Sequence, residues 1–390
     1  MQIRLLSVTC CALWIVAQIR FRLQPLQTKL GSESIYVNTR RSFNVTDYDL
    51  SSQWRLMVVT HRRPELLFRC LRTVLACDGV ERFDLAISLD AIEEYATVIA
   101  GLNDIVQEFP WLYRRVRLYV KPADHERNER AIASHVMFAL DKLYEGSTKY
   151  GVLLEEDLVV SLDFIQYMIM SVKVLESDNS LFCTSAWNDN GYLPFAANES
   201  KFMRTNGFPG MGWLTTRRTA NMVKGKLPFF ENNWDNWFAQ VVQQNQMECI
   251  VPEVPRVRHL GQGGVHISDN SVYEHMTFAT RQADTSLLSH ELSRLTKQMF
   301  DSDLASRIDN ARKVQLAAII DPNMFSFGHD HDYVVPIVFQ RDCPSMVKHY
   351  NLFDISTCKM THDGVLQVSI PTSHSTIYFI DQVEGQKWLQ

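Results

Sequence analysis

An apolar, β-branched run, Leu56-Met57-Val58-Val59-Thr60, gives way at Pro64 to apolar residues at helical spacing: Leu66, Leu67, Cys70, Leu71, Val74 and Leu75. The alternation then recurs. Leu85-Ala86-Ile87-Ser88-Leu89 reads as a second strand ending at Asp90. Ile132, Val136, Ala139, Leu140 and Leu143 share one face of a second helix, and Tyr150 to Leu154 reads as a third strand ending in Glu155-Glu156-Asp157. A further helix is expected to begin near Ser161, whose hydroxyl suits an N-cap. Continuous apolar runs alternating with amphipathic helices specify strands buried on both faces of a parallel sheet, which restricts this part of the chain to the α/β class. Ligands of such sheets bind beyond the carboxyl ends of the strands. His61-Arg62-Arg63, Asp90 and Glu155-Glu156-Asp157 all lie at those ends, so residues far apart in sequence are expected to converge.

The chain has 390 residues, enough for two globular units. With 46% hydrophobic and 21% charged residues it is globular, not disordered. A net charge of −5 argues against a nucleic-acid partner, which calls for a basic face. No Gly-x-Gly-x-x-Gly follows the first strand, no Walker Gly-Lys-Ser/Thr occurs and no zinc-type Cys/His spacing is present, which disfavours dinucleotide, P-loop and zinc chemistry. After about residue 300, Val335–Phe339, Val365–Ile370 and Thr376–Ile380 read as short strands around one helix near Ser345 to Leu352, a smaller α+β unit. At the other end, Leu5 to Ile19 carries no charge between Arg4 and Arg20, and Arg20-Phe21-Arg22 follows where a cleaved signal would have small residues. This pattern favours a short uncleaved signal anchor over a cleaved signal or an apolar cytosolic N-terminus, and the polar residues after it read as a stem. The sequons Asn44-Val45-Thr46 and Asn198-Glu199-Ser200 fit a lumenal chain, in which some of the eight cysteines would pair.

The acidic triplet is the main chemical signal. Carboxylates are hard oxygen ligands suited to Mg2+ or Mn2+, and three adjacent acids repel one another unless a cation or solvent relieves them. In isolation such a triplet is usually a solvated acid cluster; after a buried strand it points to a metal that bridges the phosphates of a nucleotide. In Trp234-Asp235-Asn236-Trp237, two indoles flank a carboxylate, the composition of a sugar-stacking wall beside a base or of a surface acid between core tryptophans. Phe208-Pro209-Gly210-Met211-Gly212-Trp213 is a loop whose glycines let backbone approach a ligand, or a tight turn. Ser185-Ala186-Trp187-Asn188-Asp189-Asn190-Gly191 is rich in hydrogen-bonding side chains. His135 sits one turn from Ile132, a position more often filled by a core histidine, and Gly261-Gln262-Gly263-Gly264-Val265-His266 is a candidate lid or a linker.

Five of these segments occur in one order: Leu154-Glu155-Glu156-Asp157-Leu158, Cys183 to Gly191, Phe208 to Trp213, Trp234 to Trp237, and Cys249-Ile250-Val251-Pro252-Glu253. The set resembles the β-1,2-N-acetylglucosaminyltransferase I family, whose two best-known branches act on N-glycans and on O-linked mannose. The resemblance runs from about Trp54 into the C-terminal unit and is densest over residues 150 to 265. It implies an inverting enzyme of glycosyltransferase A-type (Rossmann-like) fold, with a smaller α+β C-terminal domain, a single N-terminal membrane anchor, and use of UDP-GlcNAc and Mn2+. It implies Asp157 as the metal acid, Asp235 as the base for a mannose 2-hydroxyl, and Arg63, Asp90, His135, Glu155, Glu156, Met211, Trp234 and His266 as donor contacts. It also implies a Cys183–Cys249 disulfide and a type II protein of the Golgi membrane. The organisation expected is a tail 1–4, anchor 5–20, stem 21–52, catalytic domain 53–275 (nucleotide half 53–157, acceptor half 158–275), linker 276–305 and C-terminal domain 306–390.

Departures from the family pattern also bear on the reading. The N-glycan branch has Glu-Asp-Asp where Glu155-Glu156-Asp157 stands, the form found in the O-mannose branch. Ala91 follows Asp90 where a second family disulfide has a cysteine, and His266 replaces a donor-contacting serine. Cys343 and Cys358 are a further candidate pair. The stem has no room for the additional carbohydrate-binding domain of the O-mannose enzyme, which favours an N-glycan mannose as acceptor. The alternatives are transfer to O-linked mannose, a catalytically inactive glycan-binding homologue, and a UDP-sugar hydrolase.

Overall fold

The computed structural model describes residues 53–122, 129–224, 226, 233–260, 276–281, 284–320, 325–350 and 358–390. The anchor 5–20, the stem 21–52 with Asn44, and the segment 261–266 with His266 lie outside the described residues. Among the described residues no helix is long and apolar enough to cross a membrane.

The expected alternation is present: β1 (Trp54–Thr60), α1 (Pro64–Leu75), β2 (Asp84–Leu89), α2 (Tyr95–Glu108), β3 (Val116–Val120), α3 (Glu129–Leu143) and β4 (Tyr150–Glu155). The α2–β3 pair had not been read from the sequence. Strands β3, β2, β1 and β4 lie side by side in that order, all parallel. Because side chains alternate along a strand, Leu56 and Val58 of β1 enter the core under α1, α2 and α4 (Phe164–Ser177), while Met57 and Val59 enter the core under α3. A strand covered on both faces has no reason to alternate apolar with polar, which is why β1 reads as an unbroken apolar run. Pro64 opens α1, where its fixed φ suits the first turn.

Beyond β4 the sheet becomes mixed. β5 (Leu158–Val160), β6 (Leu181–Ser185), β7 (Phe202–Thr205), β8 (Trp213–Thr216), β9 (Glu248–Pro252) and β10 (Val257–His259) follow in chain order. Strand β8 lies antiparallel between β4 and β6, and the eight-stranded order is β3-β2-β1-β4-β8-β6-β9-β7. The parallel strands β6 and β9 place Cys183 opposite Cys249, and these two form a disulfide with Cα atoms 4.8 Å apart. Ser161 does not cap the next helix: α4 starts at Phe164 with Asp163 at the N-cap position, and the Ser161 hydroxyl donates to Asp163 instead. The unforeseen β5 lies between β4 and Ser161, pairing antiparallel with β10.

A short helix α5 (Arg217–Val223) and the helix α6 (Trp234–Gln244) complete this layer; α7 (Thr285–Ser293) and α8 (Lys297–Asn310) lead to the second sheet. That sheet has the order β11 (Arg312–Lys313), β12 (Tyr333–Ile337), β14 (Ser375–Asp381), β13 (Val365–Ile370), with α9 (Leu316–Ile319) and α10 (Phe339–Tyr350) alongside. The expected strand at 335–339 is shifted: β12 ends at Ile337 and Phe339 begins α10, because Asp342 and Asp381 accept the amide protons of Val338 and Phe339. Cys343 and Cys358 form a second disulfide, and Cys70 and Cys77 are buried free thiols.

Candidate active site

The carboxyl ends of β1, β2 and β4 bring together the three sequence features expected to meet there. Arg63, at the start of α1, is the hinge of the arrangement: its Nε donates to Glu156 Oε1 at 2.6 Å and its Nη2 lies 2.9 Å from Asp157 Oδ2. Glu156 is held on its other oxygen by the Thr60 hydroxyl and by the His61 amide at 2.7 Å. Burial raises its pKa, and Thr60, Arg63 and His61 oppose that rise. Asp157 is buried too. Burial alone would raise its pKa, but His259 and Arg63 bring it below the ordinary aspartate value. Its Oδ1 has no hydrogen-bond partner among the described residues. Burial raises the pKa of Glu155, and the charges of Asp157, Asp235 and Glu156 raise it further.

A second group forms at the end of β2. His61 Nδ1 lies 2.6 Å from Asp90 Oδ1, and His135 Nδ1 lies 3.3 Å from Asp90 Oδ2. His135 Nε2 is 2.9 Å from the Ser88 hydroxyl. His135 is buried, and burial pushes its pKa down to about 4, against the pull of Asp90, so the ring is neutral near pH 7. The core position expected of a lone helical histidine and the approach to Asp90 are therefore both observed.

The loop from Phe208 to Trp213 covers the end of β4. Gly210, Met211 and Gly212 take φ of 65°, 38° and 69°, three successive left-handed residues. Only glycine adopts that region without cost, so Met211 is the unusual member. Gly212 also has no room for a side chain, since a Cβ there would stand 2.8 Å from Val257 Cγ1. Ser185 fixes the loop by donating to Gly210 O at 2.7 Å, and the Ala186 amide donates to Gly212 O at 2.8 Å.

Trp234 and Trp237 are each 8% exposed and pack with Phe182, Phe208, Trp213 and Phe238 in an aromatic core. Asp235 and Asn236 between them face solvent in the first turn of α6, with Asp235 Oδ1 accepting the Asn236 amide at 2.8 Å. The structure thus realises the arrangement of a surface acid between core tryptophans.

No sequence signal marks His259. This residue ends β10, opposite Leu158 of β5, and its Nε2 lies 3.4 Å from Asp157 Oδ2. Among the described residues one group of three metal-capable side chains stands together, Glu248, His362 and Asp363, their ligand atoms within 4.8 Å of one another. Lys297, Lys387 and Arg204 already face these carboxylates, so this is an ion-pair network between the two sheets.

Comparison with known proteins follows the same lines. A curated Arabidopsis thaliana relative, an alpha-1,3-mannosyl-glycoprotein 2-beta-N-acetylglucosaminyltransferase, is 31% identical over 134 residues, covering 34% of this chain and 30% of the relative. Among solved structures, the mannosyltransferase PcManGT from Pyrobaculum calidifontis, in complex with GDP-Man and Mn2+, aligns with a TM-score of 0.38 at 15% identity, over 57% of this chain and 64% of that one. TarS residues 1–349 from S. aureus align with a TM-score of 0.34 at 9% identity, over 52% of this chain and 58% of that one. Neither structural likeness is close enough to bear on function. The model of the GNT-I family matches residues 28–342, most of the sequence, and the chain belongs to the GNT-I family.

Proposed function

We propose that the protein is an inverting, metal-dependent β-1,2-N-acetylglucosaminyltransferase that moves GlcNAc from UDP-GlcNAc to a mannose of an N-glycan. The observation that carries this reading is the Asp157 carboxylate. It is buried at the carboxyl edge of a parallel sheet, fixed on one oxygen by Arg63, with the other oxygen unpartnered among the described residues. An unsatisfied buried acceptor is costly unless a positive group meets it, and a hard carboxylate oxygen fits Mn2+ or Mg2+. When bound, such a cation would supply charge stabilisation for the departing diphosphate.

The chain's own residues do the rest. Arg63 locks the acidic pair Glu156–Asp157 in place. Asp90, with neutral His135 and Ser88 behind it, offers a hydrogen-bonding edge to the nucleotide. Glu155, Glu156 and Met211 are kept as donor contacts, and Trp234, packed against Phe208, stands beside them. Asp235 is presented to solvent from a rigid helix start and accepts the proton of the attacking mannose hydroxyl. Inversion requires one base on the face opposite the leaving group, and the exposed Asp235 carboxylate is the group assigned that role. His266 is kept as a donor contact on the family resemblance alone.

The division into a catalytic domain 53–275, with halves 53–157 and 158–275, and a C-terminal domain 306–390 is retained, with 276–305 between them. The glycosyltransferase A-type fold, the anchor at 5–20 and a lumenal Golgi location belong to the same proposal. The name of the Arabidopsis relative supports a glycoprotein mannose as acceptor.

The test offers UDP-GlcNAc, Mn2+, an oligomannose N-glycan and, in parallel, an O-mannosyl peptide, and reads product masses. Gain of one N-acetylhexosamine on the N-glycan is expected. Asp235→Asn should lower the rate by roughly 10²–10⁴-fold with an unchanged melting temperature. Gain only on the peptide moves the acceptor to O-mannose. No product from folded protein overturns the transferase reading in favour of glycan binding.

A further inference from the structure

We infer that His329 and His374, on the second sheet, form a surface site for a transition cation of the Zn2+ class. The inference does not depend on the transferase reading. Topology brings the two residues together. Strands β12 and β14 are parallel neighbours, so the loops that lead into them meet at one end of the sheet. His329 lies in the loop before Tyr333, where β12 begins, and His374 immediately precedes Ser375, the first residue of β14. The loops are laced to each other: the Asp330 amide donates to Ser373 O at 2.8 Å, and the Ser375 hydroxyl donates to Gly328 O at 3.1 Å. Asp330 and His374 both take left-handed backbone, with φ of 57° and 53°. Non-glycine residues seldom adopt it, so the fold holds both positions against a local preference.

The spacing of the rings is that of a ligand pair. Their centroids are 5.1 Å apart and their planes are tilted by 42°. Two imidazoles bound at about 2.0–2.1 Å to one tetrahedral Zn2+ have ring centres roughly 5 Å apart. A plain aromatic contact prefers offset-parallel or perpendicular planes, and this pair has neither.

Asp330 orients one of the rings. His329 Nδ1 lies 3.0 Å from Asp330 Oδ2. The hydrogen bond from His329 holds this carboxylate below the ordinary aspartate range, and the charges of His329, His374 and His331 lower it further. An ionised carboxylate only accepts, so the proton sits on Nδ1. In the neutral ring Nε2 then keeps its lone pair for a cation, with a carboxylate behind it as metal-bound histidines commonly have. His331 is not a ligand: its Nε2 lies 2.8 Å from Arg312 Nη2, and a guanidinium only donates, so that lone pair is taken. His329 and His374 are exposed, which lets a hydrated cation reach them and keep water at its other positions. Imidazole nitrogen suits Zn2+, Cu2+ and Ni2+, whereas Mg2+ takes oxygen, so the pair discriminates between these classes.

The experiment titrates the full-length chain in detergent with Zn2+ by calorimetry, with Mg2+ in excess to fill oxygen-rich sites. It compares the wild type with His329→Gln, His374→Gln, Asp330→Asn and His331→Gln. Electron spin resonance with one equivalent of Cu2+ counts the coupled imidazole nitrogens. Expected are Zn2+ binding and a raised melting temperature in the wild type. The Kd should rise about tenfold or more in Asp330→Asn, and at least as much in either ligand variant, with little change in His331→Gln. Copper should couple to two imidazoles in the wild type and to one in each ligand variant. The wild-type copper spectrum stands even if a variant folds poorly. Absence of Zn2+ binding from the wild type, binding that both ligand variants retain, or a wild-type copper spectrum without two coupled imidazoles overturns the proposal.

Discussion

His362 Nδ1 lies 2.9 Å from Glu248 Oε1 across the seam between the two sheets, and its Nε2 lies 2.7 Å from Asp301 Oδ1 on α8. Arg204, with no side-chain exposure, meets the same Glu248 from β7, and Lys297 meets both Glu248 and Asp363. This network ties the second sheet to the edge of the first. Burial alone would raise the Glu248 pKa, but His362, Arg204 and Lys297 pull it down to about 2. His362 is raised above 6.5: burial opposes the shift, and Asp301 and Glu248 overcome it. A depressed carboxylate stabilises the fold above its unfolded pKa of 4.5, and that stability is lost as the pH falls towards 2. A raised histidine stabilises the fold fully below 6.5, and that stability is lost as pH rises through its folded value. Melting temperature measured against pH should therefore form a plateau between about 4.5 and 6.5 and decline on both sides. His362→Gln should remove the alkaline decline; a profile unchanged by that substitution would show that the seam does not govern it.

Gly212→Ala should destabilise the protein by about 1–3 kcal/mol, since the new methyl group meets Val257 and Leu154 at a residue with φ of 69°. Because the same loop covers the end of β4, activity should fall as well. Denaturant midpoints for this variant and for Gly207→Ala, where a Cβ meets only the Thr205 hydroxyl at 3.4 Å, separate the local clash from a general loss of glycine.

Arg63→Met leaves Glu156 and Asp157 buried without their shared cation. Removing one partner of a fully buried pair costs roughly 3–5 kcal/mol. Arg63 is partly exposed, so about 2 kcal/mol is expected here. Added Mn2+ should restore part of the loss if Asp157 holds the metal, and a thermal melt with and without the ion reads this directly.

Asn198 is exposed, with its Oδ1 accepting the Ser200 amide at 2.9 Å and its own amide donating to buried Glu253. Because Asn198 is exposed, a glycan attached there is expected to be accommodated by the folded chain. Expressed through a eukaryotic secretory route in an Asn44→Gln background, the protein should lose one glycan's mass on peptide N-glycosidase treatment, and Asn198→Gln should abolish that shift. An unshifted parent would count against a lumenal chain.

The sequence by itself determined the alternation of β1, α1, β2, α3 and β4 within residues 54–157, though not α2 and β3, because strand and helix periodicities are local properties of the chain. Leu56 to Thr60 and Leu85 to Leu89 read as strands buried on both faces, and this placed Arg63, Asp90 and the acidic triplet at one edge of one sheet. Motif order then carried the family and the Cys183–Cys249 pair. What the tertiary structure decided is everything that depends on pairing between distant segments. The antiparallel entry of β8 between β4 and β6 leaves no periodic trace, since its four residues are simply buried. The indoles of Trp234 and Trp237 have the same composition whether they face a sugar or a core; only their packing against Phe208 and Phe238 distinguishes the two. His259 acquires its meaning from the β10–β5 ladder, which spans about a hundred residues of chain to set one imidazole beside Asp157. Such contacts arise from closing long loops, and no local pattern of side chains encodes which distant partner a strand will meet.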